Sequence, residues 1–380
     1  MRMKKLTILA AVAAIAATAC TKTFEVQPTP ETPIGFGTWT NYLTKTEARV
    51  QGTNEFRAGD TFAVYGYKHR AEGAPTDVTV FDDVVATASG NPVDSWAYTG
   101  GTKFWDVNYD SYTFFAISPS AIGVEADNTN SSTDVNAQTG AFVSRAITFA
   151  GNDNDILVAD KTTVLKSTGA PNYFNNYGTV TLQFNHVAAL VDIKVKKSHT
   201  LANTPVTVSA FSLQNIESAG QLTVSDAYTN GHPVPTWSST ATTSYGPGSG
   251  VTPVSIASPI VIAEDNTFPG NNASYVPNAS TDIVTSLIVK PQTFGATGVA
   301  ESQKIVMTYY VDGVRYDATL YLADFDFIDN TAQAADYVGG WAYGKHYVFY
   351  ITIDAHAISF SASITPWTTT NANGYHHLLN

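Results

Sequence analysis

The chain has 380 residues and a formal net charge of −12, with 44% hydrophobic, 12% aromatic and only 14% charged residues. The apolar share is too high for a disordered chain, and the acidic balance excludes nucleic acid as a partner and disfavours attraction of the whole chain to anionic lipid. Low charge with abundant Thr, Val, Tyr and Gly favours a β-rich, exported protein.

Residues 1–19 have the pattern of a secretory signal. A short basic opening precedes an apolar run from Leu6 to Ala19, which is shorter than the roughly 20 residues of a membrane-spanning helix. Cys20 follows and is the only cysteine, so no intramolecular disulfide can form. The four residues that end in Cys20, Ala-Thr-Ala-Cys, resemble a bacterial lipobox. We expect a lipoprotein acylated at Cys20, for instance with palmitate, and an ordinary signal with an incidental cysteine is the alternative.

A leader follows the signal and extends over residues 20–49. Its first part, residues 21–33, is rich in Pro and Thr and predicts a flexible tether. The stretch from Ile34 to Leu43 is strand-like, and a polar run follows it.

Short apolar or aromatic runs bounded by Gly, Asp, Asn or Pro predict strands in the body of the chain. Asp312-Gly313 lies between two of them and predicts a tight hairpin. The stretch Thr331–Ala335 is the best helix candidate, and the polar stretches 127–140, 238–255 and 264–282 predict long surface loops. The predicted strands are Thr61–Tyr67, Tyr112–Ser118, Ile156–Ala159, Ile305–Val311, Val314–Leu322, Tyr347–Ile353 and Ile358–Ile364.

The run over residues 181–195 changes its apolar face. Apolar side chains occupy even positions up to Phe184 and odd positions from Val187. A strand can change face only at a bulge or where the chain crosses between sheets. We therefore expect His186 to hydrogen-bond around this irregularity in a structural role.

These patterns predict an all-β fold of two tandem β-sandwich domains, of Greek-key or transthyretin-like type, with long surface loops. The expected divisions are a signal peptide (1–19), a lipidated leader (20–49), an N-terminal sandwich (50–197) and a C-terminal sandwich (198–380) whose tail is 368–380.

The sequence offers no set of residues for catalysis or for binding a metal or cofactor. The histidines are scattered, and neighbours such as His376 and His377 point to opposite faces of a strand and cannot chelate together. Asp153 and Asp155 resemble a carboxylate pair, but acidic residues before a strand are commoner as turn formers. No Gly-x-Ser-x-Gly or phosphate-loop motif is present. We predict that the protein is not an enzyme and has no cofactor.

The order of several segments resembles the fimbrillin family, lipoprotein-derived pilins of Gram-negative bacteria. The resemblance covers most of the chain, and the order of the motifs is more specific than any one of them. The segments that carry it are Gly59–Tyr65, Trp96–Trp105, Tyr112–Pro119, Asp155–Ala159, Leu182–Ala188, Leu287–Gln292, Trp341–Tyr347 and Ile364–Trp367.

The resemblance implies assembly into fibres. Subunits of the family cross as lipoproteins, and an arginine-specific protease removes the leader together with the first strand. A strand from another subunit then fills the groove that is left. The cleavage site implied here is Arg49, with Arg57 as second choice, and a surface arginine without a processing role is the alternative. The resemblance also assigns a removable strand (Ile34, Phe36, Trp39, Tyr42, Leu43) and structural positions (His186, Trp341, Trp367).

We therefore expect a stalk or tip subunit of a cell-surface fimbrium or pilus at the outer membrane, serving adhesion. Its expected partners are other pilus subunits bound by donor-strand exchange, a processing protease, a lipid anchor in the membrane and a surface receptor on host or bacterium. The tail 368–380 is long enough to act as a donor strand, but it is polar until Leu378 and would make only a mediocre one. A surface glycan-binding lipoprotein, with exposed aromatic rings stacked on sugars, is the alternative.

Overall fold

The computed structural model describes fourteen parts of the chain, and strands dominate them. Helical structure in these parts is limited to three 3₁₀ turns, Ser120–Ile122, His199–Leu201 and Leu322–Asp324. The predicted all-β class is confirmed, whereas the helix candidate Thr331–Ala335 lies outside the described residues. The described residues are 32–39, 56–71, 76–90, 93, 95–124, 135–137, 139–149, 155–166, 179–225, 232–241, 260–262, 281–327, 339–355 and 358–366.

Strands from the first half of the chain form one large sheet, in the order β1-β10-β8-β5-β2-β3-β4, with β9 paired to β5. Its neighbours are antiparallel except for β1, which runs parallel to β10. In chain order, the first ten described strands, of which β6 and β7 belong to another sheet, are β1 (Gly35–Trp39), β2 (Thr61–His69), β3 (Asp77–Ser89), β4 (Ser95–Tyr98), β5 (Ser111–Ser118), β6 (Phe142–Val143), β7 (Ile147–Thr148), β8 (Leu157–Ala159), β9 (Thr162–Leu165) and β10 (Thr179–His186).

The large sheet wraps around the first core, so that the strands at its two ends meet. The indole Nε1 of Trp96 in β4 donates to Thr38 Oγ1 in β1 at 3.2 Å. Four phenylalanines alternate inward from β2, β3, β5 and β10 and are buried in this core, because successive side chains of a strand point to opposite faces. They are Phe62, Phe81, Phe114 and Phe184.

The second half of the chain forms two sheets that enclose the second core, with strand orders β16-β11-β22-β23-β20 and β15-β12-β18-β19. The remaining strands are β11 (Ala189–Lys197), β12 (Val206–Gln214), β13 (Ala219–Val224), β14 (Pro235–Ala241), β15 (Ile260–Val261), β16 (Thr281–Val289), β17 (Gln292–Thr293), β18 (Lys304–Val311), β19 (Val314–Tyr321), β20 (Asp326–Phe327), β21 (Gly340–Trp341), β22 (Lys345–Ile353) and β23 (Ile358–Pro366).

The chain crosses from the first sheet to the second at Val187–Ala188, immediately after β10. The change of face predicted near His186 is this crossing. Three hydrogen bonds hold it: Val187 N–H donates to Ile156 O, Trp237 Nε1 to Val187 O, and Gly344 N–H to Ala188 O. β11 therefore pairs with β16 and β22 of the second core, although the sequence assigned residues 189–197 to the N-terminal sandwich. The division into two domains itself stays a prediction.

A third core, the central cluster, joins the two halves. It lies between the other face of the large sheet and a small sheet of order β14-β13-β6, with β7 paired to β13. This small sheet takes β6 and β7 from the first half and β13 and β14 from the second. β14 occupies the start of the stretch 238–255 and β16 the end of 264–282, both predicted as loops. The prediction was wrong there because short polar side chains face outward from these strands.

The predicted hairpin at Asp312-Gly313 is confirmed. β18 and β19 pair from Lys304↔Tyr321 to Val311↔Val314. Asp312 and Gly313 have φ of 51° and 77°, as a two-residue turn of type I′ requires.

Candidate functional site

The first described segment, residues 32–39, is held on both sides. On one side β1 forms a parallel ladder with β10, from Gly35↔Thr179 to Trp39↔Gln183. On the other side Ile34 N–H donates to Lys103 O at 2.8 Å, and Trp105 N–H donates to Thr32 O at 3.1 Å. We call the space that this segment fills the first-strand slot.

Phe36 fills the centre of the first-strand slot. Its ring meets four others in edge-to-face geometry, with centroid distances of 5.2 Å to Phe81, 5.8 Å to Tyr98, 5.9 Å to Phe114 and 6.0 Å to Phe62. Only 5% of Phe36 is exposed. Such ring pairs contribute attraction beyond the area that they bury, so β1 is packed as an integral strand of the core.

The residues on either side of Phe36 explain why this segment forms a strand here. Ile34 is 1% exposed, and its spacing from Phe36 puts both side chains on the inner face. Gly37 lies close to β10, where an added Cβ would be 3.1 Å from Thr179 Cγ2. The slot therefore accepts two large apolar side chains two residues apart, followed by a small residue.

Polar groups that flank the first strand also depend on it for their hydrogen bonds. The Tyr98 hydroxyl donates to Ile34 O at 3.0 Å and accepts from Lys103 N–H at 2.9 Å. Trp96 donates to Thr38, as described above. Removal of residues 32–39 would leave these donors, and one edge of β10, without their present partners.

Arg57, the second-choice cleavage site, lies in a hydrogen-bonded turn. Its N–H donates to Asp60 Oδ2 at 2.7 Å, and its carbonyl accepts from Asp60 N–H at 3.0 Å. The preceding Phe56 is buried, with its ring 5.1 Å from that of Trp96 and 5.3 Å from that of Phe184. A cut after Arg57 would therefore remove a core side chain along with the leader.

His186 and Asp155 form a buried pair next to the crossing between the sheets. His186 Nδ1 lies 2.9 Å from Asp155 Oδ1, and both side chains are almost fully buried. Trp341 is also buried, with its ring edge-on to Phe294 at 5.2 Å. These contacts support the structural roles expected for His186 and Trp341, which stay predictions.

Five sequence-predicted site residues lie outside the described residues. They are Cys20, Tyr42, Leu43, Arg49 and Trp367. Among the described residues, no three His, Cys, Asp or Glu side chains come together as a metal site would require. No helix in the described ranges is both long and apolar enough to span a membrane.

Burial and local partners shift the pKa of groups near the slot. Burial raises the pKa of Tyr112 to about 12, although its hydroxyl accepts a hydrogen bond from Asp106 N–H. Burial also acts to raise the pKa of Asp106, but hydrogen bonds from Lys68 and Asn108 outweigh it and hold that pKa below 3.8. Further from the slot, burial raises the pKa of Asp160 despite hydrogen bonds from His232 and Asn185.

Most of the large aromatic side chains in the described parts of the chain lie in the cores. Trp341, Tyr65, Tyr67, Tyr112, Tyr347 and Tyr350 are among the largest fully buried side chains. Exposed rings are found at scattered positions of the described residues, including Phe104, Tyr316 and Tyr343. The abundance of aromatic residues therefore reflects core packing and does not favour the glycan-binding alternative.

A family model described as Fimbrillin-like matches residues 46–367. The chain belongs to the Fimbrillin-like family. Fimbrium subunit Fim1C of Phocaeicola vulgatus is 26% identical over 225 residues, which are 56% of this chain and 57% of that protein. The chain thus matches little more than half the length of this curated relative.

Two solved structures of fimbrial proteins align with most of the chain at low identity. A fimbrial protein from Bacteroides vulgatus is 18% identical, with a TM-score of 0.43 over 89% of this chain and 100% of that one. The tip fimbrial protein Mfa3 from Porphyromonas gingivalis, with a C-terminal truncation, is 11% identical, with a TM-score of 0.39 over 89% and 100% of the two chains.

The sequence predicted part of the strand that occupies the first-strand slot. It proposed Ile34, Phe36 and Trp39 as one strand, and the structure places the first two in the slot and Trp39 at the end of the ladder. It did not find that Tyr98 and Lys103 bind the same strand from the other side. The aromatic segment from Trp96 to Trp105 was the available signal, but no local pattern indicates which strand it meets.

Proposed function

We propose that this chain is a structural subunit, stalk or tip, of a cell-surface fimbria that serves adhesion. Membership of the Fimbrillin-like family supports this proposal. The observation that carries the assembly mechanism is the position of β1: the strand that closes the first core is also the first described element of the chain. A single cut between Trp39 and Phe56 would separate it without breaking any other described strand.

The proposed assembly pathway begins with the signal peptide. The chain is exported and acylated at Cys20, and an arginine-specific protease then cuts after Arg49, so that Val50 becomes the new N-terminus. The leader with β1 leaves, and a strand from another subunit takes its place. The regular turn around Arg57 supports Arg49, because proteases favour backbone that is exposed and not hydrogen-bonded.

Physical chemistry explains why a cut subunit would need a new strand. Loss of β1 exposes the ring pocket of Phe36 and the backbone edge of β10. Each buried backbone group left unpaired costs about 1–3 kcal/mol, and exposed strand edges pair readily with other chains. A donor strand restores both the hydrogen bonds and the side-chain packing. Repeated head-to-tail, this contact produces a fibre rather than a closed ring.

The cleavage step is tested with arginine variants of the precursor. The parent, Arg49→Ala and Arg57→Ala chains are treated with an arginine-specific protease, and their N-termini are determined by mass spectrometry. We expect Val50 as the new N-terminus of the parent and of Arg57→Ala, and no early cut in Arg49→Ala. A new N-terminus at Ala58 in the parent would overturn the choice of Arg49.

The replacement step is tested with peptides on the cut subunit. A peptide of residues 32–39 is added to protein from which the leader has been removed, and binding is measured by calorimetry. We expect the native peptide to bind and the peptide with Phe36→Ala to bind at least about 100-fold more weakly, because a phenylalanine removed from a core costs about 3 kcal/mol or more. A peptide with Pro33→Ala, outside the core, is the control. Equal binding of all three would count against the slot as an exchange site.

A further inference from the structure

One end of the large sheet is remote from the crossing to the second core. There β2 ends at His69, opposite Asp77 and Ser111, while β2 begins and β5 ends near the crossing. Three connections gather at the remote end: Ile34 N–H donates to Lys103 O, Arg70 Nε to Asn108 O, and Lys166 Nζ to Val107 O. We call this end the leader pole, and it comprises residues 32–34, 68–70, 103–110 and 165–166.

The leader pole exposes large apolar side chains. Phe104 is 40% exposed, Val107 42% and Leu165 59%. Phe104 lies beside the incoming leader, where it forms an isolated bridge with Pro33. Exposed apolar residues at one end of a sheet are not by themselves a site, because Val261, Val314 and Tyr316 are similarly placed on another sheet. The charge of the leader pole and its position at the end of the tether distinguish it.

The charge of the leader pole differs from that of the chain. Lys68 Nζ and the Arg70 guanidinium lie over the ring of Tyr109, at 4.1 and 4.5 Å from its centroid. Among its described residues the leader pole has four basic side chains, Lys68, Arg70, Lys103 and Lys166, and two carboxylates, Asp106 and Asp110. A third carboxylate, Asp77, borders the pole and pairs with His69. The local balance is therefore slightly basic, whereas the whole chain carries −12.

The length of the leader determines which end of the protein lies near its lipid. Thr32 at the leader pole is about 12 residues from Cys20, a distance of no more than about 40 Å when fully extended. A tether of this length keeps the pole at a high effective concentration against the bilayer. Contacts that bind the free protein only weakly then hold the pole against the bilayer.

We propose that the leader pole is a membrane-contact surface of the lipidated precursor. Phe104, Val107 and Leu165 enter the interface of the bilayer, and Arg70, Lys103 and Lys166 lie among the headgroups. The acidic remainder of the chain is repelled by anionic lipid, which turns the pole toward the surface. This inference rests on the proposed acylation of Cys20, which explains why this pole meets a membrane at all.

The test measures lipid binding by the leader pole in a chain that cannot be acylated. The precursor from residue 20 onward, with Cys20→Ser, is mixed with vesicles of phosphatidylcholine and phosphatidylglycerol, and the bound fraction is measured by co-sedimentation. We expect weak binding that falls about tenfold in Phe104→Ser/Val107→Ser. The matched control is Val261→Ser/Val314→Ser, which changes two exposed apolar residues of β15 and β19 and should bind like the parent.

Three results would overturn the proposal. They are no binding by the parent, an equal loss in both double variants, and self-association of the parent that Phe104→Ser/Val107→Ser abolishes without any vesicle binding. The last result would assign the surface to a second copy of the chain. Lys103→Glu/Lys166→Glu, which leaves the apolar side chains in place, should also weaken binding if the first variant proves unstable. Acylation is checked separately by the mass of the chain from cells, and its absence would refute the lipoprotein step without altering the vesicle result.

Discussion

At the scale of single residues, Phe36 determines how firmly the first strand is held. Its ring is surrounded by four aromatic neighbours and is almost wholly buried. Because the surrounding rings can relax only partly, Phe36→Ala should lower the free energy of unfolding of the precursor by about 3 kcal/mol or more. Urea unfolding measures this loss. Phe104→Ala, on an exposed ring, should change stability by less than about 0.5 kcal/mol, and equal losses would contradict the packing of β1.

The Asp106 carboxyl should make the free energy of unfolding depend on pH. Burial acts to raise its pKa, but hydrogen bonds from Lys68 and Asn108 prevail and lower it below 3.8. A carboxyl with a lower pKa in the folded state stabilises the fold above its unfolded pKa, and this stabilisation is lost as the pH falls through the folded pKa. Since Asp106 is partly exposed, we expect Asp106→Asn to cost only about 1 kcal/mol or less near neutral pH.

The measurement for Asp106 compares urea unfolding of the parent and Asp106→Asn at about pH 6 and at about pH 2.5. The difference between the two proteins should shrink at the lower pH, because Asp106 takes up a proton as the pH falls toward and through its lowered folded pKa. A difference of the same size at both values would show that the charge of Asp106 contributes nothing, and that the variant acts through packing alone.

At the scale of elements, the strands with a local signal were the predictable ones. β2, β5, β8, β18, β19, β22 and β23 were found because alternation and turn residues are encoded within a few positions. The parallel pairing of Gly35–Trp39 with Thr179–Gln183 has no local signal, because it joins residues far apart in the chain. The sequence placed β11 with the first sheet for a related reason: the face change at His186 predicts a bulge or a crossing equally well, and only the crossing gives β11 the partners β16 and β22.

The hairpin between β18 and β19 allows a test of how far the backbone conformation of its turn depends on glycine. Gly313 has a φ of 77° and no neighbouring atom within 4 Å of an added Cβ. Gly313→Ala should therefore lower the free energy of unfolding by about 1–2 kcal/mol through backbone conformation alone. Asp312→Asn is the matched control, because Asn also tolerates positive φ. Urea unfolding of both variants distinguishes turn strain from any effect of packing.

At the scale of the whole molecule, the central cluster couples the two halves. It packs Tyr65 and Ile117 of the large sheet against Leu222 of β13 and Ile288 of β16, all of them buried. The small sheet above it is built from both halves, through the pairing of β13 with β6 and β7. The sequence could not predict this arrangement. A strand that is apolar on both faces is expected to be buried on both, but its sequence does not indicate which strands it packs against.

The central cluster predicts that the protein unfolds in one step despite its length. Chains of this size often unfold domain by domain, but here neither half can unfold without exposing the face that the other half covers. We expect a single calorimetric transition whose van't Hoff and calorimetric enthalpies agree. Ile117→Ala and Ile288→Ala remove side chains from opposite sides of the cluster and should each cost about 2–5 kcal/mol. Combined, they should separate the transition into two, because each half keeps its own core. Two well-separated transitions in the parent would show instead that the halves are independent and that the shared core contributes little.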